Sequence, residues 1–337
     1  MVVATASKVG LCVVGTGRMG KLYMELISKY LNNTYLAAVV SRSLSRAEEL
    51  CKIYNCRPYD NLEKALMSKD VDAVVIATPT YTHADLIIRS CEYGKHVFVE
   101  KPIDVDLIKA EGAVRKCRKY GVKLQVGYMR RFEDSYAKAK EVVDSGVLGE
   151  PLVYIGISKD PEPPPPGWLR DPRLSGGLVL DLMSHDIDLA MWYLRDVVTE
   201  VYATGGNYVV KDLGDYDTVV AHLRMSRGKS ALIYGSRKST YGYDIRSEIH
   251  CSLGTVMIGS EANYNLKVCS SKGITVEGYP WFQRKFLSAY INELNAFINS
   301  IINDEEPKVS GEEALRVLKV AIAINESVKS GKPVSIS

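Results

Sequence analysis

Short apolar runs separated by helix-like stretches set the pattern of the first third of the chain. Residues 8–14 (KVGLCVV) read as a buried strand, 18–31 as a helix and 35–41 (YLAAVVS) as a second strand. The alternation continues through helices at 44–54 and 61–68, a strand at 71–77 (VDAVVIA), a helix at 82–93, a strand at 96–99 (HVFV), a helix at 104–120 and a strand at 122–127 (VKLQVG). These strands are apolar throughout instead of alternating, as when helices cover both faces of a sheet. The spacing predicts an α/β fold over 1–127: a Rossmann domain with a doubly wound parallel sheet and right-handed crossovers.

Past about residue 150 the pattern changes. Runs at 152–158, 199–210, 217–225, 229–236, 245–251 and 254–259 are strand-like and follow one another with few helices between. They predict an α+β domain over 128–337 with a largely antiparallel sheet, for substrate binding and oligomerisation. One helix interrupts near 177–194. Two more close the chain near 284–303 and 311–330, and the last is placed to pack back on the first domain. The proline run at 161–166 (PEPPPP) excludes helix and central strand, leaving a stiff loop. In this reading one face of the antiparallel sheet carries no helices, so a homodimer or homotetramer that buries it is expected.

Composition narrows the function classes. With 43 Lys plus Arg against 40 Asp plus Glu in 337 residues, the net charge is +3. Spread along the chain, that gives no electrostatic case for nucleic acid or an anionic membrane as partner. No apolar run approaches the roughly 18 residues of a membrane helix. The N-terminal MVVATASKVG is too short and too weakly apolar for a signal peptide. The seven cysteines form no C-x-x-C pair, and several lie in apolar element patterns. They read as reduced thiols of a cytoplasmic enzyme. Nothing in the spacing of Cys, His and acids resembles a metal site.

The first candidate for chemistry is GTGRMG at 15–20, a G-x-G-x-x-G turn between a strand and a helix. Gly15 permits the tight turn, Gly17 lets backbone approach a pyrophosphate, and Gly20 lets helix and strand pack closely. The helix N-terminus then offers free N–H groups to phosphate. An NAD site usually carries an acid at the tip of the second strand. Here the tip reads SRSLSR, with Ser41, Arg42, Ser43 and Arg46. This favours NADP over NAD, because Arg42 can pair with a 2′-phosphate that Ser41 and Ser43 can hydrogen-bond.

Three further segments carry reactive side chains. HVFVEKP (96–102) ends a strand in Glu100 and Lys101, where open α/β sheets bind ligands. TPTYTH (78–83) holds Thr78, Pro79 and His83, the last better suited to packing or capping than to reaction. In GGLVLDLMSHDID (176–188), Asp181 and His185 are four apart and share one helix face, and Asp188 lies three further along it. Histidine is the usual general acid or base near neutral pH.

GTGRMG, ATPTYTH, EKP, GYMRRFED (127–134) and GGLVLDLMSHDID, in this order, resemble the Gfo/Idh/MocA family of NAD(P)-dependent sugar and cyclitol oxidoreductases over essentially the full chain. Within that family SKDPEPPPPGWLRDP (158–172) and SRKSTYGYDIR (236–246) are most similar to the myo-inositol 2-dehydrogenase branch. The resemblance implies hydride transfer between a secondary alcohol of a polyol or sugar and the nicotinamide. It makes His185 the general base, Lys101 the stabiliser of alkoxide charge, and Asp181 the orienting carboxylate. Implied cofactor contacts are Gly15, Thr16, Gly17, Arg18, Met19, Gly20, Ser41, Arg42, Ser43, Arg46, Thr78, Pro79, His83, Glu100 and Lys101. Candidate substrate contacts are Arg130, Asp160, Asp188, Tyr241 and Tyr243, with Trp168 as a cover. Two alternatives stay open: another chemistry of the family, on an aldose, dihydrodiol or keto-sugar, and a non-catalytic dinucleotide-binding sensor. The trio Lys101, Asp181 and His185 favours an enzyme over the sensor.

Overall fold

The computed structural model describes residues 8–259, 262–271 and 273–336. The chain divides into two compact units, 1–128 with 290–315, and 129–289 with 316–337.

In the first unit, β1 (Val9–Val14), β2 (Thr34–Val40), β3 (Arg57–Tyr59), β4 (Ala73–Ile76), β5 (His96–Glu100) and β6 (Leu124–Gly127) form a parallel sheet in the order β3-β2-β1-β4-β5-β6. That is the Rossmann order, with the topological switch between β1 and β4. Helices α1 (Arg18–Lys29), α2 (Leu44–Tyr54), α3 (Leu62–Leu66), α4 (His83–Glu92) and α5 (Leu107–Tyr120) supply the crossovers. Every residue of β1, β4 and β6 is buried, which accounts for their unbroken apolar sequence. Asp106 caps α5, accepting from Lys109 N at 3.1 Å, and Gly121 ends it in the left-handed conformation.

The second unit opens with α6 (Asp134–Asp144), which the sequence reading left unassigned. Its seven-stranded mixed sheet is made of β7 (Pro151–Lys159), β8 (Val198–Gly206), β9 (Thr218–Met225), β10 (Ser230–Ser236), β11 (Asp244–Cys251), β12 (Gly254–Ile258) and β15 (Val334–Ser335). The pairing is antiparallel except between β7 and β10. A separate hairpin pairs β13 (Ala262–Ser270) with β14 (Gly273–Gly278). A short helix α7 (Pro172–Ser175) precedes a π-helical turn, Val179–Met183, that runs directly into α8 (Ser184–Leu194). Strands β9 and β10 alternate buried with exposed positions. One side of the sheet is core, and Tyr202, Val220 and Leu232 are exposed on β8, β9 and β10. The proline run at 161–166 contains no helix or strand.

Short α9 (Phe282–Lys285) leads into α10 (Leu287–Ile302), and α11 (Gly311–Ser330) closes the chain. Residues 290–315 belong with the first unit. Gln125 Nε2 donates to Glu293 O at 2.9 Å, Val126 N donates to Val309 O at 3.0 Å, and Phe297 packs on Phe98. Residues 316–337 belong with the second, where Ser327 Oγ accepts from Ala203 N at 2.9 Å. No helix among the described residues is long and apolar enough to cross a membrane.

The expectation of reduced thiols needs correction. Cys51 is bonded to Cys56, and Cys91 to Cys117. The first pair joins the last turn of α2 to the strand after it, and the second joins neighbouring helices α4 and α5. Separations of 5 and 26 residues carry no C-x-x-C signature, so spacing alone does not reveal them. Cys12, Cys251 and Cys269 are free.

Candidate active site

The glycine turn is built as its sequence requires. Gly15 has φ +109°, and a Cβ there would lie 2.5 Å from Ala77 O. A Cβ on Gly20 would lie 2.0 Å from Gly15 O, so only glycine lets α1 start this close to the turn. Gly17 differs, because a Cβ there meets nothing within 4 Å. The space in front of it is open, and Gly17 is exposed at the N-terminus of α1 with no side-chain cap and no acid in the first turn. The backbone N–H groups of a 12-residue helix therefore face solvent with their dipole uncompensated, a fit for a pyrophosphate. Arg18 is exposed and Met19 half-buried beside it.

At the tip of β2, Ser41 is buried and its hydroxyl lies 3.2 Å from that of Thr16, tying the second strand to the glycine turn. Ser41 Oγ also accepts from Ser43 N at 3.3 Å, while Arg42 and Arg46 are exposed. No carboxylate stands anywhere in 41–46. After β4, the hydroxyls of Thr78 and Thr82 are 2.7 Å apart, and Pro79 is half-buried.

The sequence reading counted His83 among cofactor contacts. Here it is 1% exposed, with Nδ1 2.8 Å from Pro102 O and Nε2 3.0 Å from Thr78 O. Both ring nitrogens face main-chain carbonyls, so His83 braces the loops after β4 and β5. Burial holds its pKa below the ordinary value, although the two carbonyls pull the other way. Asp104 adds a second brace, accepting from Ala84 N at 2.9 Å.

Lys101 follows β5 and is half-buried, joined to Pro102 by a cis peptide. Its backbone N–H donates to Glu100 Oε2 at 3.1 Å. The other Glu100 oxygen accepts from the Tyr23 hydroxyl at 2.6 Å, and Tyr23 Oη lies 3.2 Å from Glu293 Oε1. All three side chains are buried. A phenol has one proton for two carboxyl groups, so the triad holds together only with an additional proton. Burial, followed by the Glu100 charge, raises the Glu293 pKa well above its ordinary value. The upward shift makes Glu293 the carboxyl of this triad that most favours holding the additional proton. Glu100 thus braces the Lys101 backbone from a buried position.

In the second unit the candidates separate into distinct clusters. Arg130, 1% exposed, donates to Ser158 Oγ at 2.9 Å and pairs with Asp186 at 3.2 Å. Tyr154 Oη donates to Asp186 Oδ1 at 3.1 Å. Burial works against the Arg130 charge, but Asp186 and the surrounding tyrosines outweigh it and raise the pKa. Arg131 forks onto Asp188, with Nε donating to Oδ2 at 2.8 Å. Arg130 and Asp188, read as substrate contacts, are therefore members of buried ion pairs, and Asp188 is turned to Arg131. Tyr243 is buried; desolvation raises its pKa, and a hydrogen bond with Arg130 opposes that. Tyr241 is exposed, donates to Asp244 Oδ2 at 2.6 Å, and is joined by Lys159. Trp168 is half-buried in a single 3-10 turn after the proline run.

The remaining cluster joins Asp160 and Asp181. Asp160 immediately follows β7, Asp181 sits in the π-helical turn, and Arg237, just after β10, bridges them at 2.9 and 2.8 Å. The segment expected as uninterrupted α-helix thus has a wider turn at Asp181, a device frequent at functional sites. His185 follows in the first turn of α8 and is buried.

Comparison with known proteins decides the family. A model described as "Oxidoreductase family, NAD-binding Rossmann fold" matches residues 9–128, and one for the GFO/IDH/MocA C-terminal domain matches 136–257. The scyllo-inositol 2-dehydrogenase (NAD(+)) of Bacillus subtilis is 34% identical over 332 residues, 96% of this chain and 95% of that protein. The chain belongs to the Gfo/Idh/MocA oxidoreductase family. Inositol 2-dehydrogenase of Rhizobium meliloti is 35% identical over 96% of this chain and 98% of its own. Among solved structures, scyllo-inositol dehydrogenase from Lactobacillus casei with bound NAD(H) and scyllo-inositol superposes with a TM-score of 0.90 at 28% identity, covering 98% of this chain and 99% of that one. Within this Gfo/Idh/MocA chain, sequence reasoning missed Arg237, Asp186, Arg131, Tyr23 and Glu293. A charge on a strand end or helix ordinarily reads as solvated, and only the long-range pairing reveals otherwise. For Arg237 there was a signal, its place in the SRKSTYGYDIR stretch.

Proposed function

We propose that this protein oxidises a secondary alcohol of an inositol-like polyol with a nicotinamide dinucleotide. The reading rests above all on the full-length similarity, spanning both units, to proteins named inositol dehydrogenases, one of them holding NAD(H) and scyllo-inositol. The open cradle at Gly17 and the acid–histidine segment of the second unit agree with it.

The bound nicotinamide supplies the hydride acceptor. His185 accepts the proton of the reacting hydroxyl, its burial keeping bulk water from that proton. Lys101 donates a charge-assisted hydrogen bond to the oxygen as alkoxide charge develops. Asp181 accepts from a neighbouring hydroxyl and so fixes which carbon presents its hydrogen. Cyclitols differ mainly in hydroxyl direction, which makes fixed acceptors the source of selectivity. Replacing His185 by Ala should lower oxidation about 10²–10⁴-fold while dinucleotide binding survives. Near-normal turnover of a good polyol by that variant would move the base elsewhere, with Lys101 the first candidate.

The proposal extends to the phosphate of the adenosine ribose. The Bacillus subtilis relative carries NAD(+) in its name and the Lactobacillus casei structure holds NAD(H), yet this chain offers Ser41, Arg42 and Ser43 where a carboxylate would bind the free 2′-hydroxyl. NADP(H) should bind more tightly than NAD(H), and Arg42→Ala should weaken NADP(H) by about 1.5–3 kcal/mol. Titration of both dinucleotides decides it, and equal or tighter NAD(H) binding by the wild type refutes the preference. A homo-oligomer that buries Tyr202, Val220 and Leu232 completes the reading. A monodisperse 37.4 kDa particle in light scattering would oppose that last element.

A further inference from the structure

We propose that Arg237 is the positioning residue for Asp181: one guanidinium, anchored on Asp160, holds the Asp181 carboxylate charged and aimed for a substrate hydroxyl. The inference deepens the functional reading above and rests on its assignment of Asp181.

The arrangement is a three-point construction from separate parts of the second unit. Arg237 donates through Nη1 to Asp160 Oδ2 at 2.9 Å and through Nη2 to Asp181 Oδ2 at 2.8 Å. The main chain fixes the root of the fork. Arg237 N donates to Asp217 O at 2.8 Å, Asp160 N to Ser236 O at 2.9 Å, and Ser239 N to Asp160 O at 2.8 Å. Arginine and its first anchor therefore move as one body. Side-chain exposure then falls in order along the bridge: 22% for Asp181, 12% for Asp160 and 3% for Arg237. The carboxylate held from behind is the one that keeps an accessible side.

The chemistry of the fork explains why arginine is needed. Its planar guanidinium reaches two carboxylates at once, which an ammonium cannot do in the same geometry. Without it, Asp160 and Asp181 lose the guanidinium that bridges them. The pair would then hold a proton into the neutral range, because adjacent like charges cannot both ionise cheaply. A protonated Asp181 is a poorer acceptor for a hydroxyl. The other charged groups around the cluster are already engaged. Arg130 serves Asp186, Lys159 serves Asp244, and Asp217 Oδ2 accepts from Val209 N and Val210 N. Tyr243 feels both the Asp160 and the Arg130 charge, and His185 follows Asp181 by four residues. A buried ion pair is in itself a weak source of stability, so fixing Asp181 is the better account of this one.

The test uses full-length protein with saturating dinucleotide and an inositol that the wild type oxidises, assayed between about pH 5.5 and about pH 9. Arg237→Met should raise KM for the polyol and lower kcat/KM about 10–100-fold near neutrality. Part of the loss should return as pH rises and the carboxylate pair sheds its proton. Dinucleotide Kd should not change. Adding Asp160→Asn to Arg237→Met should restore part of the activity at neutral pH, and Arg237→Lys should fall between wild type and Arg237→Met. A KM and pH profile like the wild type's in Arg237→Met would overturn the proposal. So would a uniform, pH-independent loss that Asp160→Asn does not relieve, since that marks a merely structural role. If Arg237→Met does not fold, the KM shift and its pH dependence are read in Arg237→Lys. Failure of the wild type to oxidise any inositol would count against the functional reading. In that event, carbon-13 titration of the Asp181 carboxyl in wild type and Arg237→Lys still tests Arg237. The expected result is a higher midpoint in the variant, and an unchanged midpoint overturns the proposal.

Discussion

The two units bury carboxyl groups by opposite means. In the first, burial and then the Glu100 charge push the Glu293 pKa well above its ordinary value, so desolvation there favours the protonated acid. In the second, Asp186, Asp188 and Asp160 each face a buried guanidinium, from Arg130, Arg131 and Arg237. The division follows what each unit offers a ligand. The first presents main-chain N–H groups at Gly17. The second presents side chains, and those must be held at fixed angles by partners that cannot lose their charge. A proton on Glu293 can be removed by raising the pH, whereas an arginine cannot be discharged in any accessible range.

The largest expected effect lies in the second unit. Arg130→Met leaves Asp186 buried without its cation and should cost about 3–5 kcal/mol, read as a lower urea midpoint. Pairing it with Asp186→Leu should recover most of that loss. A single variant within about 1 kcal/mol of wild type would erase the contrast. Next comes Gly20→Ala in the first unit. Its Cβ would meet Gly15 O at 2.0 Å, so the turn must shift, at about 1–3 kcal/mol and with weaker dinucleotide binding.

Glu293→Gln tests the neutral acid directly. The folded protein binds the Glu293 proton more tightly than the unfolded chain, whose ordinary value is 4.5. The favourable contribution is therefore complete below that value and is lost as pH rises through the raised folded value. Glutamine imitates the protonated acid at every pH. The variant should lose that downward slope and exceed wild type in unfolding free energy at alkaline pH, by about 1.4 kcal/mol per unit of displaced titration, with a correspondingly higher Tm. An unchanged slope would mean that Glu293 is ionised. The smallest effect belongs to Lys138 and Glu141, an exposed pair on α6. Replacing Lys138 by Met should leave Tm unchanged within error, because solvent screens such a pair.

The first unit was largely legible because its signals are local. Unbroken apolar strands and a glycine turn report their own environment, and α2 at 44–54 and α11 at 311–330 agree with the pattern to the residue. In the second unit, strands β9 and β10 were visible through alternation. Helix α6 was not, since DSYAKAKEVVD has only a narrow apolar stripe, and its cap, Glu133 accepting from Ser135 N and Tyr136 N, is not a Ser or Thr signature. The wider turn at Asp181 leaves no mark in residue spacing. The pairing of Arg130 with Asp186 and of Arg131 with Asp188, over 56 and 57 residues, cannot be read from either segment alone.

The membership of residues 290–315 in the first unit bears on how the protein is made. Strand β6 is the last of its sheet, and its outer side is met by Val309 and Ser310, which reach it only after residues 129–289 of the second unit have been synthesised. On the ribosome, β1 to β6 therefore emerge with an unpaired edge that persists while about 180 more residues are added, on the order of 10–40 s at ordinary elongation rates. For that interval the nascent Rossmann sheet is open to pairing with its neighbours. A chain cut at residue 128 would retain that edge permanently, so chaperone demand and aggregation should concentrate in such N-terminal fragments.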